Sequence, residues 1–182
     1  MRASPPTHTT HAHHRYARIL DVVSRYAIHN GGRGISFVCK KAGSGPPDLH
    51  TPASASSLDN IGTVFGAEVA RELVPLAVEA AADAAAAGGL CAAVTGYVSK
   101  PTYAAKKGVL VLFINGRLVE CGSLKRAVDA AYAPLLPKGA HAFAYMDIRM
   151  PSEHVDVNVH PTKREVRSPA APAPPSVCAV AS

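Results

Sequence analysis

The chain has no tryptophan and few other aromatic residues, with six tyrosines and four phenylalanines in 182 residues. Alanine, valine and leucine must therefore supply most of the core, and alanine buries little apolar area. Long apolar runs are also missing, since no stretch approaches the roughly 20 residues that span a bilayer. Residues 1–14 lack the hydrophobic segment of a secretory signal. The length suits one domain with a proper core and is too short for two large ones.

Paired cysteines are absent as well. The four cysteines are far apart in the sequence and form no CxxC pair; they are Cys39, Cys91, Cys121 and Cys178. This spacing predicts reduced thiols in an intracellular protein and argues against a zinc site built from them.

Positive charge is in excess. The chain has 19 Lys and Arg against 13 Asp and Glu, a formal net charge of +6 and a pI of about 9.3. This balance favours a polyanionic partner such as nucleic acid. Because many basic proteins bind no nucleic acid, the charge alone does not identify the partner.

The two ends of the chain are biased in composition. Residues 1–14 are rich in Ser, Thr, Pro and His, and without acidic or cysteine neighbours this pattern is more typical of a disordered head than of a metal site. Residues 168–182 are rich in proline and alanine and predict an extended linker. One folded domain is therefore expected over residues 15–167.

Two helices and a strand are expected in the first half. Apolar residues at helical spacing predict a helix over Tyr16–Tyr26. A strand over Ile35–Lys41 is followed by Gly43–Ala55, which predicts a loop because glycine and proline recur through it. A capping box at residues 56–59 starts a second helix that is expected to run to about Val74.

Strands dominate the second half. Two are expected within Leu76–Val98, joined by the alanine-rich insert Ala80–Gly89, and the apolar run Gly108–Ile114 predicts a strand buried on both faces. Asn115-Gly116 is a strong hairpin signal because both turn positions need positive φ. The remaining elements are a return strand over Arg117–Glu120, a helix capped by Ser123 that ends near Tyr132, and strands over Ala142–Met150 and Val155–Val159. This order predicts an α+β fold, a mixed α/β sandwich with helices on a shared sheet.

The most informative segment begins at Val155. Valines alternate with polar residues up to His160, which predicts a half-buried strand, and Pro161 then ends it. Because proline fixes the backbone, we expect Lys163 to project from a stiff loop, from which its ammonium group can reach a terminal phosphate. An ordinary surface lysine after a strand is the simpler alternative.

Residues 156–166, DVNVHPTKREV, closely resemble the signature that closes the N-terminal region of MutL-type DNA mismatch-repair proteins. Three more segments, within residues 25–37, 59–73 and 112–120, resemble the family in the same order. The resemblance covers about Tyr16–Arg167, and it is nearest the eukaryotic branch at Lys106-Lys107 and Phe113–Glu120. The combination is specific, because chance would have to supply four segments in the right order.

This resemblance implies a transducer domain with the ribosomal S5 domain 2-like fold, including a left-handed βαβ crossover, which is opposite to the usual hand. It also implies that Lys163 is a catalytic lysine that contacts the γ-phosphate of ATP. The ATP would be held with Mg²⁺ in an adjacent GHKL-type ATPase domain, and Pro161 and Thr162 would share the cofactor-binding loop with Lys163. The chain has no glycine-rich phosphate loop of its own, so alone it is not expected to bind ATP tightly or hydrolyse it.

DNA contact is the second function expected. The candidate residues flank the hairpin and the start of the next helix, where cations can bind phosphates without reading sequence; they are Lys106, Lys107, Arg117, Lys125 and Arg126. The family implies duplex and mismatched DNA, a second MutL-family subunit in a heterodimer, and MutS-type mismatch recognition proteins as partners. It also implies a nuclear location and no membrane partner.

Two other classes stay open. An RNA-binding or ribosomal protein with the same fold would suit the basic charge equally well. A type II topoisomerase or chaperone relative from the same ATPase superfamily would share the architecture. Neither class explains the sequence of residues 155–166, so the leading hypothesis is a nucleotide-sensing, DNA-contacting module of a mismatch-repair ATPase.

Overall fold

The computed structural model describes residues 8–43, 45–79, 92–151 and 178–180. The chain divides into two compact units, Met1–Ala67 and Glu68–Ser182, and the predicted domain of residues 15–167 spans both. The insert Ala80–Gly89 and the predicted strand Val155–Val159 lie outside the described residues. Within the described ranges, no helix is long and apolar enough to cross a membrane.

The first unit consists of two helices and an antiparallel hairpin: α1 (His8–His29), β1 (Phe37–Cys39), β2 (Leu49–Thr51) and α2 (Ser57–Phe65). The apolar face of α1 packs on the hairpin, and the centre of this small core is formed by Ala27, Cys39 and Leu49. The helical periodicity that predicted α1 therefore identified its buried face. The two-residue period of β2 likewise buries Leu49 and Thr51 and exposes the residue between them.

Two predictions in this unit are corrected by the structure. Helix α1 begins at His8, inside the predicted disordered head, because adding residues to a formed helix is far easier than nucleating one. Strand β2 lies inside the predicted loop 43–55. The glycines and prolines of that segment gave no strand signal, because a three-residue strand becomes stable only by pairing with β1.

The predicted capping box at the start of α2 is confirmed. The backbone N–H of Asp59 donates to Ser56 Oγ at 3.1 Å, and the backbone N–H of Ser56 donates to Asp59 Oδ2 at 2.9 Å. The Ser56 hydroxyl also donates to Asp59 Oδ2 at 2.7 Å, and this bond together with that of the Ser56 N–H stabilises the carboxylate and lowers the pKa of Asp59. The predicted end of this helix at Val74 is wrong: α2 ends at Phe65, because Gly66 adopts a φ of 105° that ends the helical path.

The second unit is built around one sheet. A short helix, α3 (Ala67–Arg71), precedes it, and its strands are β3 (Leu73–Val78), β4 (Ala93–Ser99), β5 (Val109–Ile114), β6 (Arg117–Cys121), β7 (Phe143–Arg149) and β8 (Cys178–Val180). Helix α4 (Gly122–Tyr132) connects β6 to the loop before β7. The strand order is β3-β4-β7-β5-β6-β8, and every neighbouring pair is antiparallel except β5 with β7.

The mixed α/β class is confirmed. The parallel neighbours β5 and β7 are joined through β6 and α4, which is the crossover connection of this sheet. The left hand of that crossover stays a prediction. The middle of β5 is buried on both faces, as expected for an apolar run, with Val111, Leu112 and Phe113 at most 1% exposed. Phe113 meets Tyr145 of β7 edge to face, with ring centroids 6.5 Å apart.

Three details of this unit correct the sequence analysis. The helix cap is Cys121, whose sulfur accepts from the N–H of Leu124 at 3.5 Å, because β6 runs directly into α4 and leaves Ser123 inside the helix. Cys121 is also disulfide-bonded, so the predicted reduced thiol is wrong there, whereas Cys39 is free and buried. Strand β8 lies within the predicted linker 168–182, after its last proline.

Candidate nucleic-acid interface

The two ends of the sheet carry different functional groups. Strand β5 begins and β6 ends at one end, where α4 starts, and this is called the helix end here. The β5–β6 turn and the last residues of β7 lie at the opposite end, called the hairpin end. The six residues of β5 separate the two by about 17 Å at the usual rise of a strand.

Four of the five predicted DNA-binding residues lie at the helix end. Lys106 and Lys107 precede β5, and Lys125 and Arg126 lie near the start of α4; all four are exposed. No ion pair holds any of them in the part of the chain that the structure describes. The first turn of α4 contains no acidic residue. The helix end therefore presents cations beside a helix N-terminus, an arrangement suited to phosphate groups.

Hydrogen bonds hold together the segments around these cations. Ala105 pairs with His141 through two backbone bonds of 3.0 and 2.9 Å, which ties the segment before β5 to the segment before β7. The Ser99 hydroxyl, 1% exposed, accepts from the N–H of Phe143 at 3.1 Å. The Tyr132 hydroxyl donates to the carbonyl of Ser99, which holds the last turn of α4 against the end of β4.

A cavity of about 500 Å³ adjoins this end, between α4 and the loop that leads to β7. Lys138 and His141 line it, and His141 Nδ1 lies 3.7 Å from Asp129 Oδ1 across it. Sequence reasoning missed these two basic side chains, because they follow a proline-rich helix end that gave no motif. Lys138 adds a cation to the helix end beyond the predicted residues, whereas His141 lies beside the carboxylate of Asp129.

Arg117, the fifth predicted residue, lies at the hairpin end as the first residue of β6, opposite Ile114. It is exposed and shares this end with Arg149 of β7. The Arg149 Nε atom lies 3.7 Å from a carboxylate oxygen of Asp147, a residue that is 6% exposed. The structure therefore groups four of the predicted cations and separates Arg117 from them.

The hairpin end also controls how the chain leaves the sheet. Asn115, in the turn between β5 and β6, hydrogen bonds through its side-chain amide to the backbone of Met150, the residue after β7. The predicted phosphate-loop residues Pro161, Thr162 and Lys163 follow further along the chain and lie outside the described residues. In the described ranges, no group of three or more His, Cys, Asp or Glu residues is placed to hold a metal ion.

Comparison with known proteins decides the family. The sequence model described as "DNA mismatch repair protein, C-terminal domain" matches residues 61–170, more than half of the chain. The chain belongs to the DNA mismatch repair protein family. It is 42% identical over 153 residues to DNA mismatch repair protein MLH1 of Saccharomyces cerevisiae, which covers 84% of this chain and 19% of that protein. It is 31% identical over 153 residues to DNA mismatch repair protein MutL of Halothermothrix orenii, covering 84% and 22%.

These matches confirm the resemblance to MutL-type proteins. The chain spans about a fifth of the length of the curated relatives it matches. A solved structure titled "Crystal Structure of N terminal domain of a DNA repair protein" matches with a TM-score of 0.67 and 23% identity, over 83% of this chain and 47% of that one. This likeness supports the same fold for the mismatch repair protein described here.

Proposed function

We propose that this chain is the transducer region of a mismatch-repair ATPase and that the helix end is its DNA-contacting surface. The observation that carries the proposal is the grouping of four exposed lysine and arginine residues around the start of α4. The partial positive charge of a helix N-terminus adds to theirs, and no acidic side chain in the first turn opposes it.

Such a surface would hold DNA through its phosphates. Lysine and arginine contacts to phosphates position a protein on the duplex but do not read base sequence. Their contribution comes largely from the release of counterions, so affinity should fall steeply as salt is added. We therefore expect matched and mismatched duplexes to bind alike. A MutS-type partner would then recognise the mismatch. We also propose that the protein pairs with a second MutL-family subunit and acts in the nucleus.

The second part of the proposal concerns the nucleotide. Lys163 would contact the γ-phosphate of ATP in an adjacent GHKL-type domain, with Pro161 and Thr162 shaping its loop. A lysine suits this role because its compact charge neutralises the terminal phosphate. The described residues contain no acidic cluster for Mg²⁺, so the adjacent domain would hold that ion. Loss of the γ-phosphate would release Lys163 and report the nucleotide state.

The DNA contact is tested by reversing charges in pairs. We expect Lys106→Glu with Lys107→Glu, and Lys125→Glu with Arg126→Glu, each to weaken duplex binding. The slope of log affinity against log salt should shrink by about two per pair, at roughly 0.9 per phosphate contact. Lys40→Glu with Lys41→Glu, an adjacent exposed pair in the first unit, is the charge-matched control and should change little. An equal effect of the control would refute a localised interface.

The same assay separates the remaining alternative. A ribosomal or RNA-binding protein would prefer RNA over duplex DNA at both low and high salt. Fluorescence anisotropy with matched duplex, mismatched duplex and single-stranded RNA of equal length measures this directly. Preference for RNA would refute the proposed DNA-contacting role of the helix end in this mismatch repair protein.

The nucleotide contact is tested with Lys163→Ala in a full-length mismatch repair protein into which this region is grafted. We expect ATP turnover to be lost while DNA affinity changes little, because the proposal assigns Lys163 to the nucleotide and not to DNA. Lys125→Ala in the same graft is the control and should retain turnover. Unchanged turnover in Lys163→Ala would refute the phosphate contact.

A further inference from the structure

The cavity between α4 and the loop before β7 has a volume of about 500 Å³. Cavities that bind small ligands range from about 300 to about 1,000 Å³ and combine apolar walls with a few polar groups. Part of this wall is apolar and is formed by Ala133, Leu136 and Pro137. Asp129 and His141 also line the cavity, so its composition is that of a binding site.

The cavity adjoins the segment that carries two of the proposed DNA-contacting lysines. His141 in its wall pairs through the backbone with Ala105, the residue before Lys106. Gly108, the residue after Lys107, is so close that a β-carbon at this position would meet His141 Cβ at 3.4 Å. The segment with the two lysines is therefore in contact with the cavity wall at both of its ends.

The polar groups of the cavity do not suit a phosphate. The side chain of Asp129 is 39% exposed, and its carboxylate would repel an anion that entered. The same carboxylate accepts hydrogen bonds from N–H groups. The best ligand is thus a flat group with N–H donors that enters the cavity, joined to an anion that stays outside near Lys106 and Lys107.

An unpaired base of a nucleic acid has this chemistry. The Watson–Crick edge of every base carries at least one N–H donor, which a partner base occupies in a duplex and which is free in a single strand. The faces of an unpaired base stack on aromatic rings, and Tyr132 and His141 both line the cavity. A paired base enters such a site only after it leaves its stack, which costs free energy.

We propose that this cavity binds an unpaired base of single-stranded DNA while the neighbouring lysines hold its phosphates. The inference rests on the proposed DNA contact of the helix end and adds to it a preference for DNA that has a single-stranded part. It assigns Asp129 to the edge of the base, and Tyr132 and His141 to its face.

The ligand is tested by fluorescence anisotropy of the 182-residue chain with three DNA molecules. These are a blunt duplex, the same duplex with a short single-stranded thymidine tail, and the same duplex with a tail of equal length whose nucleotides lack their bases. The two tails have equal charge, so a difference between them reports the bases alone. We expect the tail with bases to bind at least about fivefold more tightly than the abasic tail, because stacking of one base supplies such a factor.

The place of binding is tested by filling the cavity. Ala133 is exposed and has helical backbone angles, φ −53° and ψ −41°, so Ala133→Leu adds apolar volume to the cavity without changing the charge. Ala131→Leu is the matched control, since Ala131 is exposed on the same helix and lies about 200° around its axis from position 133. Ala133→Leu should remove the preference for the tail with bases and leave blunt-duplex affinity within about twofold. Ala131→Leu should keep the preference.

The outcomes separate this inference from the proposed function. If both tails bind the parent chain alike while Lys125→Glu with Arg126→Glu weakens duplex binding, base binding is refuted and the DNA-contacting surface stands. If that double variant leaves duplex binding unchanged, the proposed function fails and this inference fails with it. A preference that survives in Ala133→Leu, or that Ala131→Leu removes equally, refutes the cavity as the site. An RNA tail that binds more tightly than the DNA tail would refute single-stranded DNA as its ligand.

Discussion

The helix end and the hairpin end of the sheet are built in opposite ways. At the helix end, Ser99, Tyr132 and the Ala105–His141 bridge tie three segments together, and the cations project from this fixed frame. At the hairpin end, the exit of β7 depends on the side chain of one residue, Asn115. The first arrangement suits a surface that must present charge steadily to a polyanion. The second leaves the direction of the chain after β7 dependent on a single side chain.

The difference also concerns where stability resides. Between the two ends, Phe113 and Tyr145 are both buried in the core and are in edge-to-face contact. Loss of a group in this core should affect both ends, whereas loss of a hydrogen bond at one end should leave the other intact. The following predictions test whether the two ends are separable in this way.

The largest effect is expected for Phe113→Ala. Phe113 is fully buried in the central strand, and removal of its ring should destabilise the fold by about 3–5 kcal/mol through lost burial and a residual cavity. Urea unfolding followed by circular dichroism measures the change. Because the ring supports the whole sheet, DNA binding and hydrogen exchange of the Met150 amide should both be affected. A change confined to one end would show that the ends do not share this core.

Ser99→Ala should have the next largest effect. The variant leaves the buried N–H of Phe143 without its acceptor, at a cost of about 1–3 kcal/mol. Ser99→Thr keeps a hydroxyl and serves as the conservative comparison. We expect faster amide exchange at the start of β7 and unchanged exchange at Met150. If Met150 responds equally, the separation of the two ends is wrong.

Tyr132→Phe should cost less, about 0.5–1.5 kcal/mol, because it removes one hydrogen bond of a half-buried tyrosine and leaves its ring in place. Unfolding in urea gives the stability change. The last turn of α4 should fray, while the start of α4 with Lys125 keeps its place and DNA affinity is retained. A marked loss of DNA affinity would mean that the whole helix, and not its start alone, forms the interface.

Local sequence signals predicted much of this fold. The Asn115-Gly116 turn, the apolar run of β5 and the capping box of Ser56 each depend on neighbouring residues, and each was confirmed. The errors arose where tertiary pairing decides. The apolar segment after Gly66 continues a helical pattern, yet Leu73–Val78 pairs with β4 and is a strand.

The candidate site shows the same limit. Arg117 and Lys125 are close in the sequence, which suggested one basic surface, but β6 carries them to opposite ends of the sheet. Charge and motif wording indicated only the residue types, whereas strand direction shows which of them lie at the same end of the sheet. The paired bonds of Asn115 to Met150 could not be predicted either, because they join positions 35 residues apart through a parallel neighbour that no local pattern identifies.

The smallest effect is expected for Arg117→Glu, and it sharpens the comparison most. Arg117 and Lys125 are both exposed, so a single reversal of each changes the net charge equally. If phosphates contact mainly the helix end, Lys125→Glu should reduce the salt slope of duplex binding by about one, and Arg117→Glu by clearly less. Anisotropy titrations at several salt concentrations measure both. Equal slopes would mean that the duplex lies along the hairpin and that its phosphates contact both ends of the sheet.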